Sequence, residues 1–245
     1  MNPLTRKLEH FVKLSEEERR ALDVLASQHV RERRARVDII GEGEKPDNLK
    51  LMLKGWACRY KVMEDGRRQI VDFLVPGDLC DLNIYILREM DHSIGAITPV
   101  VYAQISREAF EAATEGRTRL MQALWWDTLV SSAIQREWIA NIGQRSALER
   151  VAHLLLELFH RMEAVGLTDG DRCAMPITQT ELADALGLTA VHINRMVQEL
   201  RGTGLIELSG KTLTILDRDG LTRTAQFNPH YLHLQREGRH LDANS

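Results

Sequence analysis

The chain has 245 residues, 44% hydrophobic and 27% charged, with a formal net charge of −3. That length allows one large or two smaller domains around a real core, and the composition excludes global disorder and a bulk polycation. No apolar run reaches the ~18–20 residues a membrane span needs, no secretory h-region follows Met1, and three scattered cysteines (Cys58, Cys80, Cys173) point to a reducing cytoplasm.

In chain order, Leu4, Leu8, Phe11, Val12, Leu14, Leu22 and Leu25 recur in helical rhythm, and Ser15 with Glu18 predicts a capping box. Arg31, Arg33, Arg34 and Arg36 form a basic patch where a β region begins, read as charge guarding an edge strand. From residue 37 to about 106, VDII, LKLMLKGWACRYKVM, RQIVDFLV and VVYAQIS alternate with turn-forming GEGEKPDN, EDGRR and PGD. This is the rhythm of a small antiparallel barrel or β-roll, with a hairpin at Asp65-Gly66.

Next, TRLMQALWWDTLVSSAIQREWIANIGQ predicts one long helix. Leu120, Leu124, Ile134 and Trp138 share a face that must be buried, either in a seam with a second copy, which is expected, or against the chain's own barrel. Trp125 and Trp126 are read as core, the alternatives being the pocket lining or the dimer seam. RSALERVAHLLLELFHRMEAVGL predicts a second amphipathic helix closed by Gly166, and TDGDRCAMP a loop.

The segment ITQTELADALGLTAVHINRMVQELRGTGLI meets the demands of a helix-turn-helix. Ala183 lets two helices approach, Gly187 allows a positive φ at the turn, and Ile193 and Met196 pack the second helix on the first. Thr178 with Glu181 predicts a capping box, and Thr189 caps the second helix. That helix would present Thr189, Ala190, His192, Asn194, Arg195 and Gln198 outward, with Arg195 able to grip a guanine edge. GLIELSGKTLTILD predicts a hairpin wing with Lys211 at its tip. Residues 177–223 nevertheless carry five Lys/Arg (195, 201, 211, 218, 223) against six Asp/Glu (181, 184, 199, 207, 217, 219), so long-range attraction for DNA is weak.

This order of elements resembles the Crp/Fnr family of bacterial transcription regulators over nearly the full chain. The resemblance implies an α+β protein with a double-stranded β-roll of cupin-like jelly-roll type, a long dimerisation helix and a winged helix-turn-helix. Its domains would be an effector-sensing unit at 1–116, the dimer helix at 117–143 and the DNA-binding unit at 144–245. It further implies a cytoplasmic homodimer reading a palindromic operator in double-stranded DNA and working with RNA polymerase, with no membrane role. DNA contacts would come from Thr178, Gln179, Thr189, Ala190, Val191, His192, Asn194, Arg195 and Lys211. Val191 falls where many members carry a base-reading glutamate, so the target sequence is expected to differ.

The effector is not identified by the sequence. The expected pocket comprises Cys80, Asp81, Leu82, His92 and Ser93. Leu82 stands where the cyclic-nucleotide branch has a ribose-binding glutamate, and His92-Ser93 where it has an Arg-Ser pair, which argues against cAMP. Residues 1–57 contain no cysteine, which argues against an N-terminal iron–sulfur cluster; haem stays open. Cys80 is either a redox-sensing thiol or an inert buried one, and His92 either a switch or structural. His230, His233 and His240 lack tight ligand spacing, so no metal is expected; their segment is read as a tail folded on the DNA-binding unit. No catalytic motif is found, so an enzyme is not expected. The alternative function is a ligand or redox receptor acting through protein contacts, with a helix-turn-helix that reads nothing.

Overall fold

The computed structural model describes residues 1–80, 82 and 84–234. Asp81 and the end of the C-terminal tail, including His240, lie outside the described residues. Two short helices open the chain. In α1 (Pro3–Leu8), proline occupies the first turn, where its missing N–H costs nothing, and Asn2 caps it. In α2 (Glu16–Ser27), the Ser15 and Glu18 side chains each bond the other's backbone N–H, at 3.2 and 2.7 Å.

Eight strands follow: β1 (Val30–Arg33), β2 (Asp38–Ile40), β3 (Leu49–Lys54), β4 (Ala57–Val62), β5 (Arg68–Leu74), β6 (Leu79–Cys80), β7 (Ser93–Ala96) and β8 (Val100–Ile105). They form two antiparallel sheets, ordered β1-β8-β3-β6 and β2-β7-β4-β5. Leu49, Leu51, Ile70, Phe73, Ile94 and Ile105 are fully buried in the core they share. The long apolar run splits into β3 and β4 at Gly55, whose φ of +81° and close approach to the Pro99 carbonyl leave no room for a Cβ. β7 is absent from the predicted runs, because Ser-Ile-Gly-Ala offers one β-branched side chain and gains its strand geometry from neighbours on both sides.

The helical half comprises α3 (Arg107–Thr114), α4 (Thr118–Gln144) and α5 (Ala147–Ala164), the last capped by Ser146 and Glu149. Then come β9 (Thr168–Asp169), β10 (Arg172–Ala174), α6 (Gln179–Leu186), α7 (Ala190–Gly202), β11 (Ile206–Ser209), β12 (Thr212–Ile215), α8 (Arg218–Ala225) and a short 3-10 turn at Pro229–Leu232. TDGDRCAMP, predicted as a loop, is a hairpin. Gly170 (φ +55°) turns it, Cys173 faces the core, and β10 joins the wing in the sheet β11-β12-β10-β9.

The expected dimer face of α4 requires correction. Leu120, Leu124, Ile134 and Trp138 are buried against the chain's own core. The open side carries Trp125 (64% exposed), Leu129 (44%), Ser132, Arg136 and Ile139 (73%), spaced in alternating steps of four and three. Trp125 is therefore not core, whereas Trp126 is half-buried beside Phe11 and His233. The monomer claims the more apolar stripe because α1, α3, α5 and the turn at Pro229–Leu232 already pack on it.

A buried ionic cluster joins α5 to the sheets and to α1. Arg161 contacts Asp72 (3.3 Å), Asp78 (2.8 Å) and the Phe73 carbonyl (2.6 Å). Lys7 bridges Asp78 (2.7 Å) and Asp127 (2.5 Å). Burial alone would raise the Asp78 carboxyl; Lys7 and Arg161 overcome it and hold the group at about 2. The C-terminal segment does not stay on the DNA-binding unit: it reaches α1 and α4, with His10 bonded to the Leu234 carbonyl and the His233 ring 5.0 Å from Trp126.

Candidate nucleic-acid interface and effector cavity

Local rules fix the helix-turn-helix. Thr178 Oγ1 accepts from the Glu181 N–H (3.2 Å) and Glu181 accepts from the Thr178 N–H (2.7 Å), which sets the start of α6. Gly187 takes the left-handed conformation (φ +63°) that ends α6, and Thr189 Oγ1 accepts from the His192 N–H (3.2 Å) to start α7. Ile193, Met196, Val197 and Leu200 are buried, so the other side of α7 must face outward. There Val191 is 81% exposed, with Asn194 and Arg195 also open and Ala190 and His192 half-buried. Arg195 Nη2 lies 3.0 Å from His192 Nε2, so the imidazole accepts from the guanidinium and steadies it one turn away. Thr178, Gln179 and Thr189 are exposed at the two helix starts, where free N–H groups attract phosphate.

The wing tip is a two-residue turn with positive φ at Gly210 (+57°) and Lys211 (+64°), the geometry that matches strand twist. Its register is fixed further by the Met175 N–H, which donates to the Lys211 carbonyl at 2.8 Å. Lys211 is thereby exposed at the end of a rigid hairpin.

The expected effector residues do not converge. Leu82 lines a cavity of about 210 Å³ between the sheets and α4, with Arg59, Leu79, Asp127, Thr128 and Ser132. Cys80 is fully buried in β6, opposite Lys50, and does not line this cavity. Ser93 opens β7 in the other sheet, and His92 lies in the bend just before it. His92 Nδ1 is 2.7 Å from Asp91, and Ser93 Oγ accepts from the Glu42 N–H at 2.9 Å. Arg59, missed from the sequence, is the cation of the cavity and bonds Asp72 at 2.6 Å. Its place in an ordinary β-run gave no signal. Cys58 is buried too, and that burial pushes its thiol up to about 12, against the reactivity of a redox sensor.

Residues 30–116 match the family model of the cyclic nucleotide-binding domain, and residues 149–224 that of the Crp-like helix-turn-helix domain. The transcriptional activator protein FnrL of Cereibacter sphaeroides is 31% identical over 181 residues, covering 73% of this chain and 72% of that protein. The chain belongs to the Crp/Fnr family of transcription regulators. The nitrogen fixation regulation protein FixK of Bradyrhizobium diazoefficiens is 31% identical over 166 residues, 68% of this chain and 69% of that one. Among solved structures, FixK2 from Bradyrhizobium japonicum superposes with a TM-score of 0.71 at 26% identity, covering 80% of this chain and 96% of that chain. As a Crp/Fnr regulator the protein binds DNA and acts as a dimer.

In this Crp/Fnr chain the β-roll touches the helix-turn-helix directly. Arg68 on β5 donates to Asp184 on α6 (2.8 Å), and Gln69 Nε2 donates to the Ala185 carbonyl (3.2 Å). Neither pair is legible in sequence, since each spans more than a hundred residues. Beside them opens a cleft of about 510 Å³, walled by the sheet β2-β7-β4-β5 and by Thr178, Thr180 and Glu181.

Proposed function

We propose that each protomer reads its half-site with the outward side of α7. Val191, His192, Asn194 and Arg195 face base edges, while Thr178, Gln179, Thr189, Ala190 and Lys211 fix the register on phosphates. The observation that carries this is the open side of α7, with Val191 81% exposed and Arg195 held by His192. The alternative of a head that reads nothing has no comparable support, since a helix kept for packing alone has no need of an oriented arginine on its exposed face.

The dimer seam we assign to Trp125, Leu129, Ser132, Arg136 and Ile139. Their heptad-like spacing suits a parallel helix pair, and the exposure of Trp125, Leu129 and Ile139 leaves apolar surface for a second copy. The effector would enter the cavity at Leu82 and Arg59, which suits a small molecule with an apolar body and a polar or anionic edge. A leucine on that wall offers no acceptor to a ribose hydroxyl, which supports an effector other than cAMP. Occupancy there would shift α4 against the sheets and so the separation of the two α7 helices. RNA polymerase is the further partner, supported by relatives named as transcriptional activators. Such work is done in the cytoplasm, and no helix among the described residues is long and apolar enough to cross a membrane.

The test is fluorescence anisotropy on palindromic duplexes selected from a random library. Wild-type protein should select one sequence in the nanomolar range. Arg195→Ala should weaken it by roughly ten- to a hundredfold and relax the preference at one base pair per half-site. Equal affinity for every duplex, or indifference to the substitution, would reject the reading.

A further inference from the structure

A head with a formal balance of −1 over residues 177–223 must find its phosphate-neutralising charge elsewhere. Every side chain from Arg31 to Asp38 is exposed, and Arg31, Arg33, Arg34 and Arg36 all fall there. Among the described residues none of the four has a carboxylate partner; Arg31 bonds Gln104 (3.2 Å) and Arg33 the Glu32 carbonyl (3.3 Å). Protection of a sheet margin explains charge on β1, which is an outermost strand. It does not explain Arg34, which lies beyond the end of β1 at Arg33; Arg36, whose N–H donates to the Ala96 carbonyl (2.7 Å) beside the outermost strand β2, goes beyond margin protection by lining a cleft.

Position adds a second argument. Arg36 and Arg68 line the open cleft whose far wall is Thr178, Thr180 and Glu181, at the start of α6, the Glu181 carboxylate being engaged by the Thr178 N–H. The first helix of a helix-turn-helix crosses the phosphate backbone, so a strand passing that end of α6 comes within reach of Arg36. In its sheet β1 is at the opposite margin from β6, and the β6 side is where α4 packs, around Leu79 and Leu82. With α4 on the dimer axis, the arginines occupy the outer flank of the protomer. DNA that reaches them lies outside the pair of half-sites.

We infer that Arg31, Arg33, Arg34 and Arg36 form a track for the phosphate backbone of double-stranded DNA flanking each half-site. The sensor domain thus supplies charge that the reading head lacks. This rests on the DNA-reading assignment above, and the experiment separates the two.

Binding is measured across a salt series on two duplexes: the selected palindrome alone, and the same palindrome extended by about one helical turn on each side. Wild-type protein should prefer the extended duplex by roughly tenfold and show the steeper salt dependence. Replacing all four arginines by glutamine should remove that preference and lower the slope on the extended duplex by about 0.9 per lost phosphate contact, while the short duplex loses at most the one contact at Arg36. Replacing them by lysine should restore the preference, because a point charge serves a phosphate. Specific binding of the short duplex with no flank effect, or equal loss on both duplexes in the glutamine variant, overturns the track alone. Absence of any specific binding by wild-type protein overturns the DNA reading and the track with it.

Discussion

Glu157 has no exposed surface and accepts from Trp138 Nε1 (3.0 Å) and from the Tyr231 hydroxyl (2.9 Å). Burial raises its carboxyl to about 7, with Arg161 and the two donors opposing. A carboxyl raised by folding contributes stability that is complete below its ordinary value and is lost as pH rises through about 7. His153 runs the other way: burial, then Arg145, lowers it to about 3, so its contribution is lost as pH falls below the ordinary histidine value. The two largely cancel in the wild type, but Glu157→Gln keeps His153. The stability difference between the two proteins, from urea unfolding, should therefore shift in favour of the variant by about 2 kcal/mol between pH 5 and pH 8. A constant difference would sink the assignment. Residues governed by local rules, such as Thr178, Glu181, Gly187 and Thr189, were legible because their partners sit three or four positions away. Glu157, Arg161 and Asp78 were not, since an amphipathic pattern cannot announce partners on other elements.

At the scale of elements, α4 shows why a correct helix can be given the wrong face. Both its sides repeat in steps of three and four, and the fuller stripe is the one a sequence reader picks. The fold buries that fuller stripe within one chain, leaving a thinner row headed by Trp125 and ended by Ile139. Ile139→Asp should therefore yield a folded monomer, seen by sedimentation, with specific DNA affinity reduced at least a hundredfold. A variant that stays dimeric would move the seam elsewhere. β9 and β10 were missed for a related reason: two- and three-residue strands have no period to detect, and they exist because β10 pairs with β12 and β9 with β10.

For the whole molecule, the decisive feature is that the β-roll and the C-terminal helices are joined by buried charge rather than by a loose linker. Arg161 lies among Asp72, Asp78 and Glu157, so Arg161→Met strands carboxylates in the interior and should cost about 3–5 kcal/mol. Urea unfolding followed separately by tryptophan fluorescence and by proteolysis near Arg145 should then split into two transitions where the wild type shows one; a single unshifted transition would dismiss the cluster as a coupling device. The order of domains was legible from β-runs, one long helix and a helix-turn-helix, but their docking was not, because it rests on pairs distant in the chain. Between α4 and α5 only Arg145 and Ser146 intervene, the first tied to Glu137 at 2.6 Å and the second spent as a cap. So short a knee forbids the two heads to wander independently. If this regulator reads two half-sites, those should need strict phase: a single base pair inserted between them, turning one about a tenth of a revolution out of step, should weaken binding in a gel-shift titration.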